Sequence, residues 1–303
     1  MYVLFVHHDT SNLSQLCTFF LEILQCGLSA IETGKPELGI KGVSALHGLQ
    51  SFDIVWGIVP DYMHGALLGI AKMLLRLWFT SSNADKPYFL GRQIKHIDKF
   101  LKKMKPTDDI GRLPRKIEHN MHHFKASELQ MWLLFYSLPC LIDFAPKEYL
   151  NHFALLIEGL YILLGDNISP DQLLHAKKCL NVFYMNFTQL YGKNNCTLNL
   201  HNVCRHLPIY VAKLGPLWAW SCFPFEDMNG TILESVHGTG DVCFQILWTI
   251  QAKKRLAVDS SKMKNLALKE FVEESTNTKR SVKIKHEAAN CKIVGGVKKY
   301  IPD

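Results

Sequence analysis

No apolar run in this sequence is long enough to cross a bilayer, which takes roughly 20 residues. The longest, around Leu129–Ile142 and Phe153–Leu164, are interrupted by Gln130, Pro139 and Glu158. A membrane-spanning protein is therefore not expected. Met1–Asp9 lacks the basic n-region of a secretory signal, and the apolar stretch Leu13–Leu28 carries Glu22 and no clear small-residue cleavage site. There is no Cys-x-x-Cys pair. The nine cysteines are odd in number and dispersed, which argues against a disulfide framework or a zinc ribbon and fits reduced thiols in the nucleus or cytoplasm. With 19 glycines and 12 prolines among 303 residues, collagen-like and low-complexity chains are excluded.

What remains is a globular composition, 48% hydrophobic and 20% charged, with enough apolar material for a sizeable core. Its formal charge of +7 is uneven. Residues up to Gln251 hold 21 basic and 21 acidic side chains, whereas those after it hold 13 basic and 6 acidic ones. The body has no global basic field; the tail has one, and it is either a polyanion-binding segment or a solvated basic tail.

Periodicity predicts a mainly helical chain. Ser11–Leu28 and Tyr62–Phe79 carry apolar residues at helical spacing, as do 89–104, 126–141, 147–164, 170–191, 197–213, 226–236 and 240–254. Pro114, Pro139, Pro146 and Pro170 punctuate these segments. The apolar, partly β-branched run 52–59 predicts one buried strand stopped by Pro60. The expected organisation is a divergent N-terminal helix at 1–30, a partial core at 31–80, a helical insertion at 81–213, a return to the core at 214–255, and a basic tail at 256–303.

Two places could carry chemistry. Asp61-Tyr62-Met63-His64 stands at the expected strand-to-helix junction, with His64 one turn beyond Asp61 on the same helix face. Asp61 is also a good N-cap, which is the plain structural alternative. Phe223-Pro224-Phe225-Glu226 follows the Trp-rich stretch 215–220, whose aromatics would bury a site. There Glu226 would open a helix, a position that favours negative charge without any catalytic role.

Four ordered blocks turn these places into a resemblance. Gly39-Ile40-Lys41-Gly42 comes first, then Phe52-Asp53-Ile54-Val55 leading to Asp61-Tyr62-Met63-His64 and Leu68-Gly69-Ile70. Lys125-Ala126-Ser127-Glu128-Leu129 follows, leading to Trp132–Pro139. The fourth block is His201, His206-Leu207, Gly215-Pro216-Leu217-Trp218, Phe223–Glu226 and Asn229-Gly230. Together they resemble the CACTA (En/Spm-type) DNA transposases over residues 31–250. The resemblance implies a ribonuclease-H-like α/β core of one or few strands, with a large helical insertion between the second and third of three catalytic acids. It further implies Mg²⁺ or Mn²⁺ held by those acids, and DNA strand cleavage and transfer. Asp61 matches the second acid and Glu226 the third. His64 matches the family's histidine, its role open between orienting Asp61, touching the scissile phosphate and packing. The first acid lies well upstream in the family. Asp9 alone fits by location, without matching neighbours, and Asp53 reads as a strand-edge residue. The expectation is therefore the C-terminal part of a catalytic region, truncated or decayed and catalytically incomplete. The alternative is a non-enzymatic helical DNA- or protein-binding domain derived from a transposase, and a wholly unrelated helical scaffold is the third reading.

DNA is the expected partner, with a second copy of the chain also considered and no small-molecule substrate. Arg112, Arg115 and Lys116 beside His119, His122 and His123 form either a phosphate-contacting loop or a solvated one. Lys95, Lys99, Lys102, Lys103 and Lys105, extended by Arg92, are either a phosphate-tracking stripe or a plain surface helix. His201, Cys204, His206 and Cys222 invite a zinc reading, but residues five apart on an α-helix do not share a face, so core packing is preferred.

Overall fold

The computed structural model describes residues 24–37, 40–49, 52, 57–104, 114–276, 284–288 and 291–294. The chain divides into two compact units, Met1–Pro60 and Asp61–Asp303. In the first, residues 24–33 are helical, Glu37 and Ile40 form an isolated antiparallel bridge, and Ala45–Gly48 is a single 3₁₀ turn capped by Ser44, whose hydroxyl accepts the Leu46 N–H at 3.2 Å. Of the predicted strand at 52–59, residues 53–56 lie outside the described residues and 57–60 are irregular. Asp9, Asp53 and Arg112 also lie outside them.

The second unit is built from helices. α1 winds as a π-helix over Met63–Ala71 and continues as Lys72–Phe79. α2 is Ile94–Lys103. α3 runs through Ala126–Met131, a π-turn at Trp132–Tyr136, and Ser137–Leu141. α4 (Lys147–Leu163) and α5 (Pro170–Tyr191) form an antiparallel hairpin. α6 comprises Leu198–His201, a π-turn at Asn202–His206, and Leu207–Leu214. α7 (Phe223–Glu234), α8 (Val242–Ser261) and α9 (Leu266–Thr276) follow, then a two-stranded antiparallel hairpin of β1 (Ile284–Ala288) and β2 (Cys291–Val294). Mainly helical is thus the observed class. Among the described residues the hairpin is the one sheet.

Local chemistry explains several boundaries. Ser169 and Gln172 form a reciprocal capping box at the start of α5, the Gln172 N–H donating to Ser169 Oγ at 3.2 Å and the Ser169 N–H to Gln172 Oε1 at 2.9 Å, with Pro170 in the first turn. Pro139 does not break its helix as the sequence suggested. Proline removes one i→i−4 bond and crowds the preceding turn, and here a π-turn stands just upstream. The Ser137 N–H reaches the Trp132 carbonyl, five residues back, and the helix continues through Pro139. Pro208 follows the second such turn in α6, where the Leu207 N–H bonds the Asn202 carbonyl. Helix also persists beyond the expected limit of 254, to Ser261 and again over α9.

The core gathers α1 to α6. Trp78 of α1 meets Phe153 of α4 edge-on at 4.8 Å between ring centroids, and Phe183 and Phe187 of α5 are fully buried beside the His152 ring. Such an aromatic pair contributes about 1 kcal/mol beyond its area burial. Glycines set the closest approaches. A Cβ on Gly159 of α4 would stand 2.7 Å from Leu180 Cγ of α5, and one on Gly69 of α1 would stand 3.1 Å from Asn199 Cβ of α6. Buried Asp98 of α2 accepts the N–H groups of Ile117 at 2.7 Å and Glu118 at 3.1 Å, capping the helical turn Ile117–Asn120. α7 and α8 differ from α1 to α6: neither buries a residue, and Phe225, Met228, Leu233, Phe244, Leu247 and Trp248 are exposed.

Candidate functional site at Asp61, His64 and Glu226

Asp61 precedes α1, and its side chain does what an N-cap does: Oδ2 accepts the His64 N–H at 2.8 Å while its own carbonyl takes the Gly65 N–H at 2.8 Å. The second oxygen serves another helix. Oδ1 accepts the N–H of Cys222, the residue that opens α7, at 2.9 Å. One carboxylate therefore ties together the starts of two helices 161 positions apart in the chain. Their N-terminal dipole ends both favour a negative charge at this point.

His64 completes the cluster. Its Nδ1 lies 2.7 Å from Asp61 Oδ2, and its Nε2 lies 3.9 Å from Glu226 Oε1. Nδ1 thus faces the Asp61 carboxylate, and Nε2 is turned toward Glu226 and solvent. The ring is held against the Asp61 carboxylate, half exposed rather than packed in the core. Exposure grades outward, from 13% for the Asp61 side chain to 54% for His64 and 57% for Glu226. The aromatics that were expected to bury the site do so only in part: Trp220 and Phe223 are half-buried against the core, whereas Trp218 and Phe225 are exposed.

Burial alone would push the Asp61 carboxyl up, but the N–H groups of Cys222, His64 and Met63, with the His64 ring, outweigh it and hold the group below the ordinary carboxylate value. Asp61 is thus an anion with its acceptor sites engaged, since a carboxylate offers about four. Beside it, burial and then the Asp61 charge push the Cys222 thiol up, so this sulfur is a protonated, unreactive thiol at neutral pH.

Mg²⁺ and Mn²⁺ seek oxygen ligands with open lone pairs. Here the acceptor sites of Asp61 are filled by protein donors, an imidazole stands between Asp61 and Glu226, and the atoms that converge around Asp61 are His64 nitrogen and Cys222 sulfur. This donor set does not fit a pair of hard cations held by two carboxylates.

The basic residues fall into two kinds. Lys99 and Lys103 stand with Lys95 and Lys102 on the exposed face of α2, opposite buried Ile97 and Leu101, and Arg92 is exposed just before it. Lys116 is exposed as well, as are His119, His122 and His123. Arg115 is committed internally. Its Nε and one Nη grip the carboxylate of buried Glu128 at 2.7 and 3.0 Å, and the guanidinium also donates to Asn120 Oδ1 and the His123 carbonyl. Four of its five N–H groups are spent before any phosphate arrives.

His201 and His206 overturn the spacing argument. Their Nε2 atoms face each other at 3.0 Å because the backbone between them is the π-turn Asn202–His206, which rotates residues five apart onto one face. Burial, then His201 and Arg205, lower His206 to about 4. Cys222, grouped with them in the sequence reading, belongs instead to the Asp61 cluster.

No protein-family model matches the chain, and neither the curated proteins nor the solved structures include a match to it.

Proposed function

We propose that this chain is a transposase-derived helical domain that binds DNA through its surface lysines and does not itself cut the strands. The observation that carries the reading is the convergence of Asp61 and Glu226, matched by the resemblance to the second and third acids of CACTA-type transposases, on the two nitrogens of one imidazole. Two residues so far apart in the chain have no local reason to meet. The helical stretch between them agrees with an insertion in a ribonuclease-H-like ancestor. Against cleavage stands the chemistry of the cluster: its Asp61 oxygens cap helices rather than lie open to Mg²⁺ or Mn²⁺, so the carboxylates serve here as fold-holding anions. The exposed lysines of α2, with Lys116 and the basic residues of α8, support a phosphate-contacting surface and, with it, residence in the nucleus.

The test is duplex binding by the purified protein across a salt series, with a nicking assay in Mg²⁺ or Mn²⁺ alongside. Affinity should fall log-linearly with salt, the Lys99→Glu, Lys103→Glu double variant should lower the slope by roughly 1 to 2, and no nicking should appear. Salt-independent or absent binding would remove the DNA reading. Metal-dependent nicking abolished by Asp61→Asn and by Glu226→Gln would instead establish a retained nuclease.

A further inference from the structure

A second convergence of donor atoms lies away from Asp61, on the α4–α5 hairpin. His175 and Cys179 are four apart on α5 and so share a face, and Glu158 of α4 meets them. His175 Nε2 lies 2.7 Å from Glu158 Oε1 and 3.5 Å from Cys179 Sγ, and all three atoms lie within 4.8 Å of one another. One imidazole nitrogen thus faces both a carboxylate oxygen and a sulfur. A hydrogen bond satisfies only one of those contacts, because Nε2 carries at most one proton. A catalytic relay would use the two ring nitrogens separately, one for each partner; here both partners crowd the same nitrogen. Nitrogen, oxygen and sulfur atoms this close to one another form a donor set that a single cation can bridge.

We infer that Glu158, His175 and Cys179 form a Zn²⁺ site with three protein ligands and a fourth position open to solvent. The donor set is nitrogen, sulfur and oxygen, the borderline-soft mixture that selects zinc over Mg²⁺ or Ca²⁺. With Zn–N near ~2.0 Å and Zn–S near ~2.3 Å, ligand atoms around a tetrahedral zinc stand about 3–4 Å apart. The His175–Cys179 separation already matches, and the His175–Glu158 contact needs only a small opening of two half-exposed side chains. Cys179 sits buried at the base, while Glu158 at 52% and His175 at 54% side-chain exposure leave an entry path and the fourth position wet. The scaffold is rigid where it matters: Gly159, next to Glu158, lets α4 approach within contact of Leu180, next to Cys179. A bound ion would staple the two helices and present a water, or a ligand from a partner, on the outer face of the hairpin.

Co²⁺ titration of the whole chain tests this, because cobalt reports a tetrahedral thiolate site by a near-ultraviolet sulfur-to-metal band. The protein should bind one equivalent with that band, and Zn²⁺ should displace it. Cys179→Ser should abolish the band, while His175→Gln and Glu158→Gln, both at exposed positions that leave the helical circular dichroism unchanged, should each weaken binding at least tenfold. Cys222→Ser should keep the band, which separates this site from the Asp61 cluster. Absence of the band in the unmodified protein, or its survival in Cys179→Ser or His175→Gln, would overturn the site and leave Glu158–His175 as an inter-helix ion pair. Neither outcome bears on DNA binding through α2.

Discussion

The N–H of Cys222 donates to Oδ1 of Asp61 at 2.9 Å, joining the entry of α7 to the entry of α1 across 161 positions of sequence. Because the other oxygen caps α1, a single carboxylate fixes both helix starts and the place where Glu226 emerges beside His64.

Asp61→Asn keeps the shape but replaces an oxygen with a donor facing donors. It should destabilise the protein by about 1–3 kcal/mol, read as a lower urea midpoint with unchanged slope. The pH dependence follows from the depressed carboxyl. A folded-state pKa below the unfolded value contributes stability that is complete above the unfolded pKa and is lost as pH falls through the folded one. The acid limb of stability below about pH 4 should therefore flatten in Asp61→Asn.

Arg115 distinguishes structure from recognition. Its bidentate grip satisfies Glu128, whose side chain is 1% exposed, so Arg115→Met leaves a buried carboxylate without its cation. Its thermal midpoint should drop clearly, whereas Lys116→Met, at an exposed side chain, should leave it unchanged. An equal effect of the two on DNA affinity, with no loss of stability in Arg115→Met, would contradict this division.

Gly159→Ala puts a methyl group 2.7 Å from Leu180 Cγ and 2.9 Å from its Cδ2. Both neighbours are core atoms without room to retreat, so α4 and α5 must part. A loss of about 1–3 kcal/mol is expected in chemical denaturation, and a compensating Leu180→Ala in the same chain should recover part of it.

His206 should stay neutral through most of the acid range. Its folded-state pKa of about 4 lies below the unfolded value near 6.5, so the folded protein binds fewer protons in that window and stability is lost as pH falls from 6.5 toward 4. The ring is partly exposed, which limits its share to roughly 1–2 kcal/mol. Buried His152, also lowered by burial against a bond to the Phe183 carbonyl, adds to the same slope. Melting temperatures of the unmodified protein and of His206→Gln between pH 7 and 4 should converge toward the acid end.

Much of the helical layout was legible in residue order. The α5 start is written in Ser169-Pro170-x-Gln172, and the α4, α5 and α8 patterns follow from apolar spacing alone. The π-turns were not legible. They arise where proline and packing forbid a regular turn, and spacing rules that assume 3.6 residues per turn therefore misplaced His201 and His206.

Residue order by itself determined that this chain is mainly helical, that it contains no Cys-x-x-Cys pair, and that Asp61 stands before a helix, because each depends on neighbours within a few positions. Only the tertiary structure decided that the second oxygen of Asp61 accepts an N–H from a distant helix, that Arg115 is spent on Glu128, and that Glu158, His175 and Cys179 converge. The reason is geometric: which lone pairs remain open is settled by contacts between helices, and side-chain packing rather than local spacing brings those helices together.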